Sequence, residues 1–87
     1  MAMHCRGLTK LVEECGELTQ IAAKKMAYAD VDIHPDGRSM KLRMEDEIAD
    51  VIAACAYVSG EFKLNQAAID LRVQEKIALF YKWRMEP

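Results

Sequence analysis

Apolar residues recur at intervals of three and four positions through three segments of this chain, which is the periodicity of an α-helix with one buried side. The segments run from about Leu8 to Tyr28, from about Met40 to Phe62, and from about Asn65 to Trp83. No stretch alternates apolar and polar residues for long enough to predict a β-strand. The sequence therefore predicts an all-α fold, a small helical bundle of three main helices.

The apolar residues of each predicted helix form a stripe that is expected to face a common core. The first stripe is Leu8, Leu11, Val12, Cys15, Leu18, Ala22 and Met26. The second is Met44, Ile48, Val51, Ile52, Cys55, Val58 and Phe62. The third is Ile69, Val73, Ile77 and Phe80.

The helices are separated by residues that favour turns and caps. The stretch ADVDIHPDGRS, residues 29–39, contains Pro35 and the turn pair Asp36-Gly37, and it breaks the first helical pattern. Ser39 and Asn65 each precede a helical segment and are predicted N-caps, because their side chains can accept hydrogen bonds from the first free backbone amides.

With 87 residues and a mass of 9.9 kDa, the chain is expected to form one domain, residues 1–87. Three helices of this length give a thin core, yet 52% of the residues are hydrophobic and many of them lie off the main stripes. We therefore expect a homodimer, or a higher homo-oligomer, whose subunits complete a core like that of a four-helix bundle.

Charge and composition exclude several other classes of protein. The net charge of −2 provides no basic field for nucleic acid, and no apolar run is long enough to cross a membrane. Met1 to Gly7 lacks the apolar core of a signal peptide, and three cysteines without CxxC spacing do not predict a disulfide framework. A cytoplasmic protein without a nucleic-acid or membrane partner is expected.

Two pairs of acidic residues lie one helical turn apart, at matching places on the first two helices. Glu14 and Glu17 form the first pair, and Glu47 and Asp50 form the second. If the two helices pack antiparallel, these four carboxylates converge at the edge of the core and need a compensating cation. Four oxygen ligands suit a hard cation, Mg²⁺ or its substitute Mn²⁺.

Each acidic pair has a small residue directly before its second member, Gly16 in the first and Ala49 in the second. A glycine inside a helix costs about 1 kcal/mol relative to alanine, so its presence calls for a reason. We expect Gly16 and Ala49 to keep bulk away from the metal ions and their ligand.

The two acidic motifs, EECGE and EIAD, resemble the EExxE…ExxD signature of MazG-like, all-α nucleoside triphosphate pyrophosphohydrolases. The resemblance covers about Leu8 to Phe62, and the third helix more loosely. It implies Mg²⁺-dependent hydrolysis of a nucleoside or deoxynucleoside triphosphate at the α–β bond, which gives the monophosphate and pyrophosphate. The spacer between the two motifs is longer than is usual in the family, so the base preference does not transfer.

The resemblance also implies roles for individual residues. The metal ligands are expected to be Glu14, Glu17, Glu47 and Asp50. Glu13 and Glu14 are assigned to catalysis, with Glu13 orienting or deprotonating the attacking water.

Basic side chains are expected to complete the clamp on the phosphates. Lys76 is the first candidate, because it interrupts the apolar stripe of the third helix; the alternative is that it extends to water. Arg43 lies one turn before Glu47 and favours an i,i+4 ion pair with it over a phosphate contact. Lys25 and Arg84 are weaker candidates for phosphate binding.

Two other functions remain open. Phosphoribosyl-ATP pyrophosphohydrolase, the sister activity in the same superfamily, uses similar acidic helix motifs. A non-enzymatic dimerisation or regulatory module would carry the same acidic residues merely solvated. Di-iron bundles are disfavoured, since their Glu-x-x-His pairs are not present in either motif.

Overall fold

Each of the three predicted helical segments forms one helix in the computed structural model, which describes residues 6–28, 33 and 37–86. The helices are α1 (Arg6–Ala27), α2 (Met40–Glu61) and α3 (Gln66–Met85). Within the described residues the only β-type pairing is an isolated antiparallel bridge between Ile33 and Ser39, so the all-α prediction is confirmed there. The predicted break at Pro35 and Asp36, and most of the amino-terminal stretch, lie outside the described residues.

The two predicted N-caps are confirmed. The Ser39 hydroxyl oxygen accepts a hydrogen bond of 3.1 Å from the backbone amide of Leu42. The Asn65 side-chain oxygen accepts one of 3.0 Å from the amide of Ala68. Each cap satisfies an amide that the first turn of its helix would leave without an acceptor.

The end of α2 turns the chain away from the first two helices. Lys63 has a φ of 53°, in the left-handed region that favours glycine. The amide of Leu64 donates to the carbonyl of Ser59 at 2.9 Å, and the amide of Lys63 donates to the carbonyl of Gly60 at 3.3 Å. These two bonds form a Schellman motif, which ends α2 and sets the direction in which α3 leaves.

Helices α1 and α2 form an antiparallel hairpin whose contact seam repeats every seven residues. The seam contains the buried or half-buried residues Gly7, Leu11, Glu14, Leu18, Ile21 and Lys25 of α1, and Met40, Met44, Glu47, Val51, Ala54 and Val58 of α2. Ala22, Arg43, Ser39 and Ser59 flank it and are also half-buried. Alternating steps of four and three residues are the spacing of helices that pack knobs-into-holes.

The predicted stripes of α1 and α2 therefore coincide with the seam at only five of their fourteen positions. Leu11, Leu18, Met44, Val51 and Val58 lie in it as predicted. The residues one position later point about 100° away, since each residue advances a helix by that angle. These residues form an exposed apolar surface, which we call the outer flank: Leu8, Val12, Cys15, Ile48, Ile52 and Cys55.

The prediction that α3 packs on the other helices through one apolar stripe is wrong within this chain. Val73, Ile77 and Phe80 are 50%, 48% and 59% exposed, and α3 has no extensive contact with either helix of the hairpin. Apolar residues occur all around α3, so no single stripe directs it onto the hairpin. The radius of gyration is accordingly 15.9 Å, against about 12 Å for a compact chain of this length.

Among the helices that the structure describes, none combines the length and the apolar character needed to cross a membrane.

Replacing Ile21 with alanine tests the seam. Ile21 is 2% exposed, and its truncation removes apolar contact between α1 and α2. We expect Ile21→Ala to lower the free energy of unfolding by roughly 2–4 kcal/mol in urea titrations. Leu42 is 49% exposed on α2, so Leu42→Ala is the matched control and should cost much less. Equal losses in the two variants would contradict the seam.

Candidate metal centre

Two carboxylates occupy seam positions that a helical hairpin normally fills with apolar residues. Glu14 lies between Leu11 and Leu18 in the α1 seam, and Glu47 lies between Met44 and Val51 in the α2 seam. Because the helices are antiparallel, Glu14 lies opposite the turn of α2 that contains Asp50, and Glu47 lies opposite the turn of α1 that contains Glu17. The prediction of acidic pairs along the border of the core is thus modified, since one member of each pair lies inside the seam.

The second members of the pairs extend the acidic cluster to one side of the seam. Glu17 and Asp50 each precede an apolar seam residue by one position, and in an antiparallel hairpin these two places face the same side. One carboxylate oxygen each of Glu17, Glu47 and Asp50 lie within 4.8 Å of one another. Oxygens of Glu13, Glu14 and Glu17 form a second group within the same limit.

Glu17 belongs to both groups, so the five predicted acidic residues form one continuous cluster, which we call the carboxylate centre: Glu13, Glu14, Glu17, Glu47 and Asp50. Separations of this size allow carboxylate oxygens to share a metal ion, and the oxygen-only donor set suits a hard divalent cation.

Glu47 is the most deeply buried member of the centre. Its side chain is 5% exposed, and its Oε1 lies 3.4 Å from an Nη2 nitrogen of Arg43. Its Oε2 is buried and has no hydrogen-bond partner among the described residues, and the same holds for Oε2 of Glu14. A buried carboxylate oxygen without a donor is costly. A bound cation would supply the missing interaction, so the residues present fit a metal ion.

The protonation equilibria of the two seam carboxylates reflect this environment. Loss of hydration raises the pKa of Glu14 above its ordinary value of 4.5, and the charges of Glu17 and Asp50 raise it further. Loss of hydration likewise raises the pKa of Glu47, followed by the charge of Glu17, while Arg43 acts in the opposite direction. One arginine therefore does not compensate for the concentration of negative charge, which leaves room for an added cation.

The structure adds two residues that the sequence did not single out. The Nζ of Lys10 lies 3.3 Å from Oε1 of Glu13, and this hydrogen bond is the main cause that raises the pKa of Lys10. A groove of about 340 Å³ adjoins the carboxylate centre, and its lining is Lys10, Glu14, Asp50, Ala53, Ala54 and Tyr57. Helical spacing of three and four residues could have linked Lys10 to Glu13 and Glu14, whereas Tyr57 is brought there only by the packing of α2 on α1.

The predicted phosphate-binding residues are not all near the centre. The ion pair between Arg43 and Glu47 is confirmed. Lys25 is half-buried in the last turn of α1, eight residues beyond Glu17. Lys76 lies on α3 with its ammonium 5.7 Å from the centre of the Phe80 ring, and Arg84 lies near the end of the same helix.

Gly16 does not have the predicted role within this chain. It is exposed, and a Cβ atom built on it would meet no described atom within 4 Å outside its own stretch of helix. The reason is geometric, because a residue two positions after Glu14 points about 200° away from the seam. Ala49 has the same relation to Glu47 and is also exposed. Neither residue makes room at the carboxylate centre.

Comparisons with protein-family models, with curated proteins and with solved structures find no match to this chain.

The raised pKa values predict that the ion-free protein gains stability as the pH falls. Between the ordinary value of 4.5 and the higher value in the folded protein, the folded chain binds more protons than the unfolded chain. The free energy of unfolding contributed by Glu14 and Glu47 should therefore increase as the pH is lowered from about 7 to about 5. Thermal melts in EDTA at several pH values measure this change.

Two variants isolate the contribution of the seam carboxylate. Glu47→Gln removes the titrating group and should flatten the pH dependence. Glu45→Gln changes an exposed glutamate on the same helix and should leave it as in the wild type. If stability changes with pH in the opposite direction, or if Glu47→Gln leaves the change with pH unaltered, the buried carboxylate does not govern the pH dependence.

Proposed function

We propose that the protein is a Mg²⁺-dependent pyrophosphohydrolase of nucleoside triphosphates, of the MazG-like type that its acidic motifs resemble. The observation that carries the proposal is the state of Glu47. Its carboxylate is almost fully buried, one of its oxygens has no hydrogen-bond partner in the described part of the chain, and two further carboxylates lie within metal-sharing distance. A hairpin retains such a costly group at a seam position if a cation compensates for it.

Glu14, Glu17, Glu47 and Asp50 are the residues that would hold the metal. When bound, Mg²⁺ neutralises phosphate charge, polarises the phosphorus and lowers the pKa of a coordinated water. The buried position of Glu47 and its ion pair with Arg43 fix the orientation of that carboxylate before substrate arrives. Fixed ligands matter here because the chemistry of phosphoryl transfer depends mainly on positioning and charge stabilisation.

Glu13 is the residue that we assign to the attacking water. Its carboxylate belongs to the cluster with Glu14 and Glu17, yet it remains exposed on the α1 surface, where water reaches it. Its ion pair with Lys10 orients the carboxylate. In this scheme Glu13 accepts a proton from water that attacks the α-phosphorus, and pyrophosphate leaves.

The proposal includes a homodimer. Among the described residues, two apolar surfaces have no extensive contact: the outer flank of the α1–α2 hairpin and most of the surface of α3. Ile52 is 63% exposed, and Trp83 and Met85 are 74% and 83% exposed. Large apolar side chains exposed in this way are typical of protein interfaces. Pairing two hairpins through their outer flanks would give a four-helix core.

The same centre would also serve hydrolysis of phosphoribosyl-ATP. That activity would differ from hydrolysis of nucleoside triphosphates in its substrate and not in its site. The exposed apolar surfaces favour a different alternative, a dimerisation or regulatory module without activity. Such a module predicts that Glu47→Gln stabilises the protein and abolishes no function.

Assay of pyrophosphate release is the decisive test of activity. Wild-type protein with Mg²⁺ should convert one or more of the common nucleoside or deoxynucleoside triphosphates to the monophosphate and pyrophosphate. Glu47→Gln and Asp50→Asn should each lower kcat/KM by about a hundredfold or more, since each removes a charged metal ligand. Glu45→Gln is the matched control and should retain wild-type activity.

The products distinguish the alternatives. Release of orthophosphate would contradict cleavage at the α–β bond. Activity on phosphoribosyl-ATP alone would establish the sister reaction. If none of these substrates is hydrolysed, the result supports the non-enzymatic module.

Thermal melts with Mg²⁺ test the metal site independently of turnover. A cation that binds only the folded chain stabilises it by about 2.7 kcal/mol at a hundred times its Kd. For a domain of this size we expect a rise in Tm of several degrees at pH 7 in millimolar Mg²⁺. The rise should be lost in Glu47→Gln and kept in Glu45→Gln. A Tm that Mg²⁺ leaves unchanged, with and without a nucleotide analogue, would contradict the site.

A further inference from the structure

The groove beside the carboxylate centre shares two residues with it. Glu14 and Asp50 line the groove, and both belong to the acidic cluster. Any ligand held by its phosphates at the centre therefore has the groove as a neighbouring space. The volume of about 340 Å³ lies near the lower end of the range of about 300–1,000 Å³ for small-molecule sites.

Tyr57 provides the aromatic surface of this groove. One edge of its ring lies against α1 at Gly7, where a Cβ atom would be 3.0 Å from Cδ1 and 3.1 Å from Cε1. The same Cβ would also collide with Oε1 of Glu61. Gly7 is buried, so the absence of a side chain there is what lets Tyr57 approach the α1 backbone. The ring is thus supported on one side, while 62% of the residue stays exposed.

The remaining residues that line the groove are two alanines and one lysine. Ala53 and Ala54 have small side chains, and Ala54 is 5% exposed because it also lies in the seam. Lys10 lies on the opposite helix from Tyr57, with its ammonium paired to Glu13. The groove therefore offers an aromatic ring, small apolar side chains and an ammonium beside the carboxylate centre. These suit the base, the sugar and the phosphates of a nucleotide, respectively.

We propose that this groove is the nucleoside subsite of the protein, in which the base stacks on the ring of Tyr57 while the phosphates reach the carboxylate centre past Lys10. The subsite rests on the proposed function, since it assigns a place to the rest of the same substrate. Every nucleobase has a π-face, so stacking on Tyr57 provides affinity for nucleotides without selecting one base. Selection among bases then has to come from other contacts.

The test separates the base from the phosphates. Isothermal titration with Mg²⁺ compares two probes, the non-hydrolysable α,β-imido analogues of the four deoxynucleoside triphosphates and inorganic tripolyphosphate, which has no base. Tyr57→Leu removes the ring but keeps apolar volume, and it should weaken binding of the analogues by about tenfold. The Kd of tripolyphosphate should not change. Tyr57→Phe keeps the ring and should bind as the wild type does.

Tyr81→Leu is the matched control, because Tyr81 is also 62% exposed on a helix but does not line this groove. A second measurement uses the wild type alone and does not depend on the folding of any variant. In NMR spectra of protein with ¹³C-labelled tyrosine, the analogues should shift the ring signals of Tyr57 upfield, and tripolyphosphate should not.

The outcomes are distinct. Wild type that binds both probes, with Tyr57→Leu unaffected and no upfield shift, overturns the subsite and leaves the proposed function standing. Equal weakening of both probes by Tyr57→Leu also overturns the subsite, since Tyr57 would then act through the fold. Wild type that binds neither probe with Mg²⁺ overturns the proposed function, and the subsite with it.

Discussion

The burial of two carboxylates in the seam of a helical hairpin is the constraint on which the rest of this structure depends. Leucine or alanine at positions 14 and 47 would complete a regular heptad interface. The chain has glutamates there instead, and Arg43 pairs with only one oxygen of Glu47, so that Oε2 has no hydrogen-bond partner among the described residues. The helix interface thus carries a destabilising concentration of carboxylate oxygens, an arrangement that is common at functional sites.

The two sides of the hairpin follow from the same seam. On one side, residues that precede seam positions, among them Lys10, Asp50 and Tyr57, join the seam glutamates to form the carboxylate centre and the groove. On the other side, the residues that follow the seam positions form the apolar outer flank. Consecutive residues of a helix point about 100° apart, so the residues before and after each seam position lie on opposite sides of the seam. The polar side is thus free for a ligand when the apolar side is covered.

Helix α3 contributes little to the hairpin and exposes most of its apolar residues. Its direction is set by the Schellman motif at Lys63 rather than by packing, and apolar residues around its whole circumference give it no preferred side. A helix of this kind reaches a low free energy only when other helices surround it. The proposed homodimer would provide such surroundings.

The local structure and the acidic cluster follow from the sequence alone. Periodicity defined three helices, Ser39 and Asn65 were identifiable as caps, and the spacing of the acidic residues predicted a cluster from α1 and α2. These features depend on short-range geometry, which a helix fixes by its pitch. The sequence left open which residues of each stripe face the partner helix. Because the apolar stripe is wider than the seam, either Leu11 or Val12 could do so.

The packing of α1 on α2 decides which residues face the partner helix, and with that which carboxylates are buried. It places Glu14 and Glu47 inside the seam, leaves Val12 and Ile52 outside it, and leaves Gly16 exposed. It also brought Tyr57 against Gly7, two residues fifty positions apart in the chain. Contacts of that range depend on the mutual fit of two helices, and no local pattern in either helix encodes that fit.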